Sequence, residues 1–131
     1  MEDSCYCILL RKASRKVSSM YDEALAPLGI NVAQFSLMRR VAARAPVSLT
    51  DLAALLELDR STVGRNVKVL ERHGWVASAR GRDQREAVLS LTPAGEAVLD
   101  AGAPLWKEAQ ARIGVRFAAA AGPLRELIEG L

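Results

Sequence analysis

Apolar residues recur at helical spacing along the first part of the chain. The positions are Tyr6, Leu10, Ala13, Val17, Met20, Tyr21, Ala24 and Leu28. Because this period is that of an amphipathic helix, we predict a first helix from about Asp3 to Ala26, ended by Pro27 and Gly29. The segment from Cys5 to Leu10 is apolar on nearly every side. We therefore expect it to lie in a contact between two copies of the chain.

A second helical pattern starts at Asn31, a residue that caps helices, and runs to about Arg44 before Pro46. Its expected buried side chains are Phe35, Leu37, Met38 and Val41. The segment from Ser48 to Asp51 then has the form of a capping box with Asp in place of the usual Glu. It predicts a short helix whose inward side chains are Leu49, Leu52, Ala53 and Leu56.

A tight turn, which we expect Leu58 to fill, leads to another helix. Asp59 is expected to cap this helix, which runs to about His73 and ends at Gly74 in a left-handed conformation. Two short helices joined in this way form a helix-turn-helix, whose second member is the recognition helix.

After Gly74 the apolar period changes from helical spacing to alternation. Residues 75–79 and 86–91 alternate and are separated by a polar segment, which predicts a β-hairpin. Thr92 and Pro93 then start a long helix, and Pro123 starts a short last one. An apolar stripe on the long helix comprises Leu105, Ala109, Ile113 and Phe117. With the apolar start of the first helix it exceeds what one small lobe can cover, so we expect it to lie in the dimer contact. The fold class is therefore mainly α with a small β-hairpin wing, that is, a winged helix-turn-helix lobe with a helical dimerisation region.

Basic residues are concentrated in one part of the chain. The formal net charge is +3, but residues 60–85 alone carry seven basic and two acidic side chains. A charge run is often only a solvated surface, yet this one covers the recognition helix and the hairpin tip. Because duplex DNA is densely negative, the stretch predicts double-stranded DNA as the partner.

The recognition helix has two different faces. One face is apolar and carries Val63, Val67 and Leu70. The opposite face is basic, and the residues expected to meet DNA are Ser61, Thr62, Arg65, Asn66, Lys68 and Arg72. Arg65 and Lys68 have the reach for guanine in the major groove, whereas Asn66 lies toward the flank. The hydroxyl residues and amides of the first turn suit phosphates. Gly64 is expected to let the helix approach DNA closely.

The hairpin tip adds a second basic element, the wing. Arg80, Arg82 and Arg85 lie around Gly81, and arginine is favoured in a narrow minor groove and on phosphates. Asp83 is expected to support the wing by holding one arginine through a charge-assisted pair. The alternative is an ordinary turn residue.

Other function classes lack their residue patterns. The sequence has no Gly-rich phosphate loop, paired-carboxylate site or Ser/His/Asp set, so an enzyme is not favoured. The single histidine, His73, lacks partners at ligand spacing, and we expect a helix cap with no metal and no cofactor. Cys5 and Cys7, two residues apart on a helix, are not expected to bridge. No membrane span or signal peptide is expected, and a reducing cytoplasm is the expected location.

Two parts of the sequence have a distinctive form. They are LTDLAALLELDRSTVGRNVKVLERHGWV and the spacing of Asp83, Arg85, Leu89, Leu91, Thr92 and Gly95. With the order of the elements, they resemble the MarR family of winged helix-turn-helix transcriptional regulators. The resemblance implies a single domain, 1–131, with a DNA-binding lobe at 31–91 and dimerisation helices at 1–28 and 93–131. It also implies a homodimer, typically a repressor, that presents two recognition helices to a near-palindromic operator, although the last helix is short for the family.

The resemblance leaves the signal open. In the organic-hydroperoxide-sensing OhrR branch, a reactive cysteine lies where this chain has Cys7, and a tyrosine lies where it has Tyr21. These positions are about 21 Å apart along a helix, so Tyr21 would reach Cys7 only from the other subunit. The other two tyrosine positions of that branch are Arg11 and Val32 here. The alternatives are a buried Cys7 in the dimer contact and a small aromatic ligand bound between the dimer helices and the lobe.

The predicted function is sequence-specific DNA binding by a transcriptional regulator that a small-molecule or oxidative signal releases. A winged-helix module for protein contact is the hypothesis from another class. The basic stretch argues against it, and a salt titration of binding to random duplex separates the two.

Overall fold

A computed structural model describes residues 5–80 and 86–131. In chain order the elements are α1 (Tyr6–Leu25), α2 (Val32–Arg44), β1 (Val47–Ser48), α3 (Leu49–Leu56), α4 (Arg60–Arg72), β2 (Val76–Arg80), β3 (Ala87–Leu91), α5 (Pro93–Phe117) and α6 (Ala121–Glu129). Short 3₁₀ turns at Ala26–Leu28 and Ala118–Ala120 follow α1 and α5. The predicted fold class, mainly helical with a small β wing, is confirmed.

Local capping explains where the central helices begin. The Asn31 side chain accepts from the Gln34 amide at 2.8 Å, and the Gln34 side chain accepts from the Asn31 amide at 3.0 Å. The Ser48 hydroxyl oxygen accepts from the Asp51 amide at 3.0 Å and starts α3. Such caps satisfy amides that have no partner within the helix. The start of α3 was predicted from sequence, as was that of α2.

A three-stranded antiparallel sheet forms the base of the wing. Its order is β1-β3-β2, with Val47 opposite Leu89 and Val76 opposite Leu91. The hairpin of β2 and β3 was predicted. Strand β1 was missed, because two residues are too few to display an alternating pattern.

The main core lies in the lobe and includes Leu25 at the end of α1. Its largest fully buried side chains are Phe35, Leu25, Met38, Leu52, Leu70, Val41 and Val63. Helix α5 crosses close to α2 at Gly102, where a Cβ atom would lie only 2.7 Å from Cε1 of Phe35. Glycine is therefore needed for this close approach.

Trp106 lies where α1, α2 and α5 meet. Its ring stacks on Tyr21 with 6.2 Å between centroids and on Phe35 with 6.5 Å. The Arg39 guanidinium lies 4.6 Å from the Trp106 centroid, within the range of a cation–π contact. The junction between the lobe and the end helices is thus aromatic.

Large apolar side chains near both ends of the chain are exposed to solvent, unlike those of the lobe core. Tyr6 is 80% exposed and Leu127 is 67% exposed. Ala109 and Ile113 are buried within the single chain, at 0% and 5% exposure. The expectation that the stripe of Leu105, Ala109, Ile113 and Phe117 lies in the dimer contact is therefore wrong at Ala109 and Ile113.

Three further local expectations are corrected. Helix α1 begins at Tyr6, and Cys5 is its N-cap with extended backbone angles, so the two cysteines do not both lie on the helix. Leu58 is 51% exposed and does not fill its turn. Asp59 is the N-cap of α4, but among the described residues its side chain makes no cap hydrogen bond. Within these residues, no helix is long and apolar enough to cross a membrane.

Candidate nucleic-acid interface

Helix α4 presents one apolar and one basic face. Val63, Val67 and Leu70 are at most 3% exposed and pack into the core. Ser61, Arg65, Lys68 and Arg72 are all exposed. The separation of faces follows from the helical period, and it was predicted. It leaves a row of cations on the outer surface of the lobe.

The first turn of α4 offers hydrogen-bond donors. The Asp59 carbonyl accepts from the Val63 amide at 3.1 Å, whereas the Asp59 side chain makes no cap hydrogen bond within the described part of the chain. The Arg65 guanidinium donates to the half-buried Thr62 hydroxyl over 3.5 Å, at the long limit for such a bond. An uncapped first turn suits a phosphate oxygen.

Two residues of α4 face sideways rather than outward. A Cβ atom on the half-buried Gly64 would meet Cδ2 of Leu49 at 3.4 Å, so this glycine faces α3. The expectation that Gly64 allows close approach to DNA is therefore wrong. Asn66 is exposed on the other flank, where it lines a groove of about 380 Å³ with Leu37 and Leu58.

The wing is described only at its base. Arg80 is exposed at the end of β2 and lies opposite Ala87 of β3. Arg82, Arg85 and the expected wing support Asp83 lie outside the described residues.

A carboxylate at the wing base was missed by the sequence reasoning. The pKa of Glu86 is lowered, chiefly by a hydrogen bond from the Thr50 side chain, with smaller contributions that include the charge of Arg60. The charge of Glu86 is therefore influenced by residues at the start of α3 and by Arg60 at the start of α4. Thr50 and Glu86 are too far apart in sequence for a local pattern to reveal this contact.

The recognition helix ends at a stacked pair of rings. His73 is the C-cap residue of α4, as predicted, and its ring lies 4.3 Å from that of Trp75 at an interplanar angle of 11°. Gly74 follows with φ +78°. In residues 5–80 and 86–131 no three His, Cys, Asp or Glu side chains group as metal ligands.

The candidate sensor residues lie in different environments. Cys5 and Cys7 are free and exposed at the start of α1. The Tyr21 hydroxyl donates to Oε1 of Gln110 on α5, and burial raises the pKa of Tyr21. Tyr21 therefore already has partners within its own chain.

The profile of the MarR family matches residues 28–86. A Mycobacterium tuberculosis transcriptional regulator, MosR, was solved in complex with DNA and is 31% identical over 97% of this chain and 98% of its own, with a TM-score of 0.81. The chain belongs to the MarR family. Its relatives are named as transcriptional regulators rather than enzymes.

Two further proteins are similar to this chain. YwoH of Bacillus subtilis, named an HTH-type transcriptional regulator, is 29% identical over 66% of this chain and 64% of its own length. The chain thus spans slightly less than two thirds of this curated relative. A mutant of MarR from Escherichia coli, solved with operator DNA, is 23% identical over 93% of this chain and 89% of its own, with a TM-score of 0.84. At that identity, the likeness supports the fold alone.

Proposed function

We propose that this MarR-family chain binds specific sequences of duplex DNA as a homodimeric transcriptional regulator in the cytoplasm. The observation that carries the proposal is the exposed face of α4, with Ser61, Arg65, Lys68 and Arg72 opposite a buried apolar face. The DNA-bound structure of the related MosR supports the same use of the fold.

Within this proposal the residues that contact DNA have two roles. Arg65 and Lys68 read bases in the major groove, and Asn66 adds a contact at the flank. Ser61, Thr62, Arg72 and the wing residues Arg80, Arg82 and Arg85 bind the DNA backbone or minor groove, with Asp83 supporting the wing.

The dimer uses the helices outside the lobe, residues 1–28 and 93–131. Its support is the set of large apolar side chains that a single chain leaves exposed. They include Tyr6, Ile8, Leu9, Leu10, Val115, Leu127 and Ile128. An exposed apolar surface of this kind marks an interaction site. Two copies would then present two recognition helices to a near-palindromic operator and act as a repressor.

We propose a small aromatic ligand as the releasing signal, bound between the dimer helices and the lobe. Oxidation of Cys7 is the second candidate, and its support is that this exposed thiol lies within the surface proposed for dimerisation. A sulfenic acid there would add a polar group to an apolar contact. Operator binding before and after organic hydroperoxide, in the native protein, Cys7→Ser and Cys5→Ser, decides between them. Release that persists in Cys7→Ser excludes Cys7.

Selection of duplexes by the purified protein tests the proposed function. We expect an enriched near-palindrome, and Arg65→Ala should weaken binding to it by about 1–3 kcal/mol while relaxing base preference. Arg44→Ala, which removes an equal charge at the end of α2, is the matched control and should have little effect. No enriched sequence would contradict specific binding. Equal loss on random and selected DNA would assign Arg65 to a phosphate.

A further inference from the structure

The turn that ends the recognition helix is bonded directly to the start of α5. The Thr92 hydroxyl donates to the carbonyl oxygen of Gly74 at 2.6 Å, and the Thr92 amide donates to the carbonyl oxygen of Trp75 at 3.0 Å. The same hydroxyl oxygen accepts from the Gly95 amide at 3.0 Å. Thr92 therefore caps α5 and holds two successive carbonyls that follow α4.

Gly95 makes this close docking possible. A Cβ atom there would lie 2.0 Å from the carbonyl oxygen and 2.9 Å from the carbonyl carbon of Trp75. Both are backbone atoms, so a side chain would force the turn and α5 apart. The first turn of α5 thus packs on the turn after α4 without an intervening side chain.

The docked turn is also fixed on its other side. The Trp75 amide donates to the Leu70 carbonyl at 3.0 Å, and the Gly74 amide donates to the Glu71 carbonyl at 2.9 Å. The half-buried Trp75 packs against the core and stacks on His73. The end of α4 therefore has partners both in the lobe and on α5.

We propose that Thr92 and Gly95 are positioning residues that fix the orientation of α4 relative to α5, and that this orientation sets the preference for specific DNA sequences. The proposal rests on the proposed function. Base contacts need side chains held within a fraction of an ångström, whereas attraction to phosphates is long-ranged and tolerant of orientation. A looser junction should therefore weaken specific binding more than non-specific binding.

The test separates the bond to Gly74 from the cap of α5. Thr92→Asp keeps an N-cap acceptor, but its carboxylate cannot donate to the Gly74 carbonyl, whereas Thr92→Ser keeps the hydroxyl. Asn31→Asp is the matched control because it adds the same charge at the N-cap of α2. The first readout is the ratio of affinities for a selected and a random duplex.

The second readout is structural and needs no DNA. Spin labels at Glu71→Cys and Asp100→Cys, two exposed positions on α4 and α5, report the distance between the helices. Cys5→Ser and Cys7→Ser remove both native cysteines. Dilution into unlabelled protein isolates the distance within one chain.

We expect Thr92→Asp to lower the affinity ratio about tenfold, equivalent to one lost base contact, and to broaden the label distances. Thr92→Ser and Asn31→Asp should leave the affinity ratio within about twofold of the native value and should not broaden the label distances. Unchanged distances in Thr92→Asp, or an equal loss of ratio in Asn31→Asp, would overturn the proposal. A native protein without sequence preference would instead contradict the proposed function, and the label distances would still decide the role of the junction.

Discussion

The lobe and the end helices bury their apolar residues to very different extents. In the lobe, Phe35 is 1% exposed and Met38 is 0% exposed. At the ends, Ile8 is 58% exposed and Val115 is 78% exposed. Because burial of apolar surface is the main driving force for folding, the lobe derives stability from its own chain. In the proposed dimer a second copy covers the exposed side chains of the end helices, so changes in the two regions should have different dependence on protein concentration.

The largest expected effect comes from the lobe core. Phe35→Ala should lower the free energy of unfolding by about 3–5 kcal/mol, because it removes a buried ring and leaves a cavity. Denaturant unfolding at two protein concentrations measures this loss, which should be the same at both. Phe117→Ala, at the half-buried end of α5, should give a smaller loss that depends on concentration. A stability loss that depends on protein concentration in the Phe35 variant but not in the Phe117 variant would contradict the difference proposed between the lobe and the end helices.

The next effect concerns the dimer. Ile8→Glu would place an unpaired charge in the proposed contact, at a cost of several kcal/mol, and sedimentation should detect monomers at micromolar concentration. The lobe should stay folded by circular dichroism. Ser14→Glu, also exposed on α1, is the control. Ile113→Glu would be a poor test, because Ile113 is already buried in one chain. A native protein that is monomeric at this concentration would contradict the dimer.

The smallest effect concerns pH and the wing base. Because the folded pKa of Glu86 is lowered, its charged form stabilises the fold above the ordinary glutamate pKa of about 4. This contribution is lost as pH falls through the lowered pKa. Unfolding of native protein and Glu86→Gln should therefore differ at about pH 7 and converge in strong acid. The prediction would be contradicted if the difference in free energy of unfolding between the two proteins were equal at both pH values. It would also be contradicted if Thr50→Val left this difference unchanged.

Local signals explain what could be predicted from sequence. The boundaries and buried side chains of α2 were predicted because its cap, period and ending residues all lie within the segment itself. The two faces of α4 were predicted for the same reason. The sideways position of Gly64 also follows from the helical period, whereas its approach to Leu49 of α3 does not.

Contacts between distant segments could not be predicted. Periodicity identifies an apolar stripe but not the surface that covers it, so Ala109 and Ile113 were assigned to a second copy although both are buried within their own chain. The contact of Glu86 with Thr50 likewise depends on how β3 packs beside α3. The approach of Gly95 to Trp75 requires knowledge of where two helices meet.

The position of Trp106 gives the protein an internal optical reporter. The chain has two tryptophans: Trp75 lies at the turn after the recognition helix, and Trp106 lies in the aromatic junction of α1, α2 and α5. Trp106→Phe would leave tryptophan emission only from the recognition-helix turn. Trp75→Phe would leave tryptophan emission only from the junction. Fluorescence of the two single-tryptophan variants can therefore report separately, without an attached dye, on events at the DNA-binding end and at the connection to the end helices.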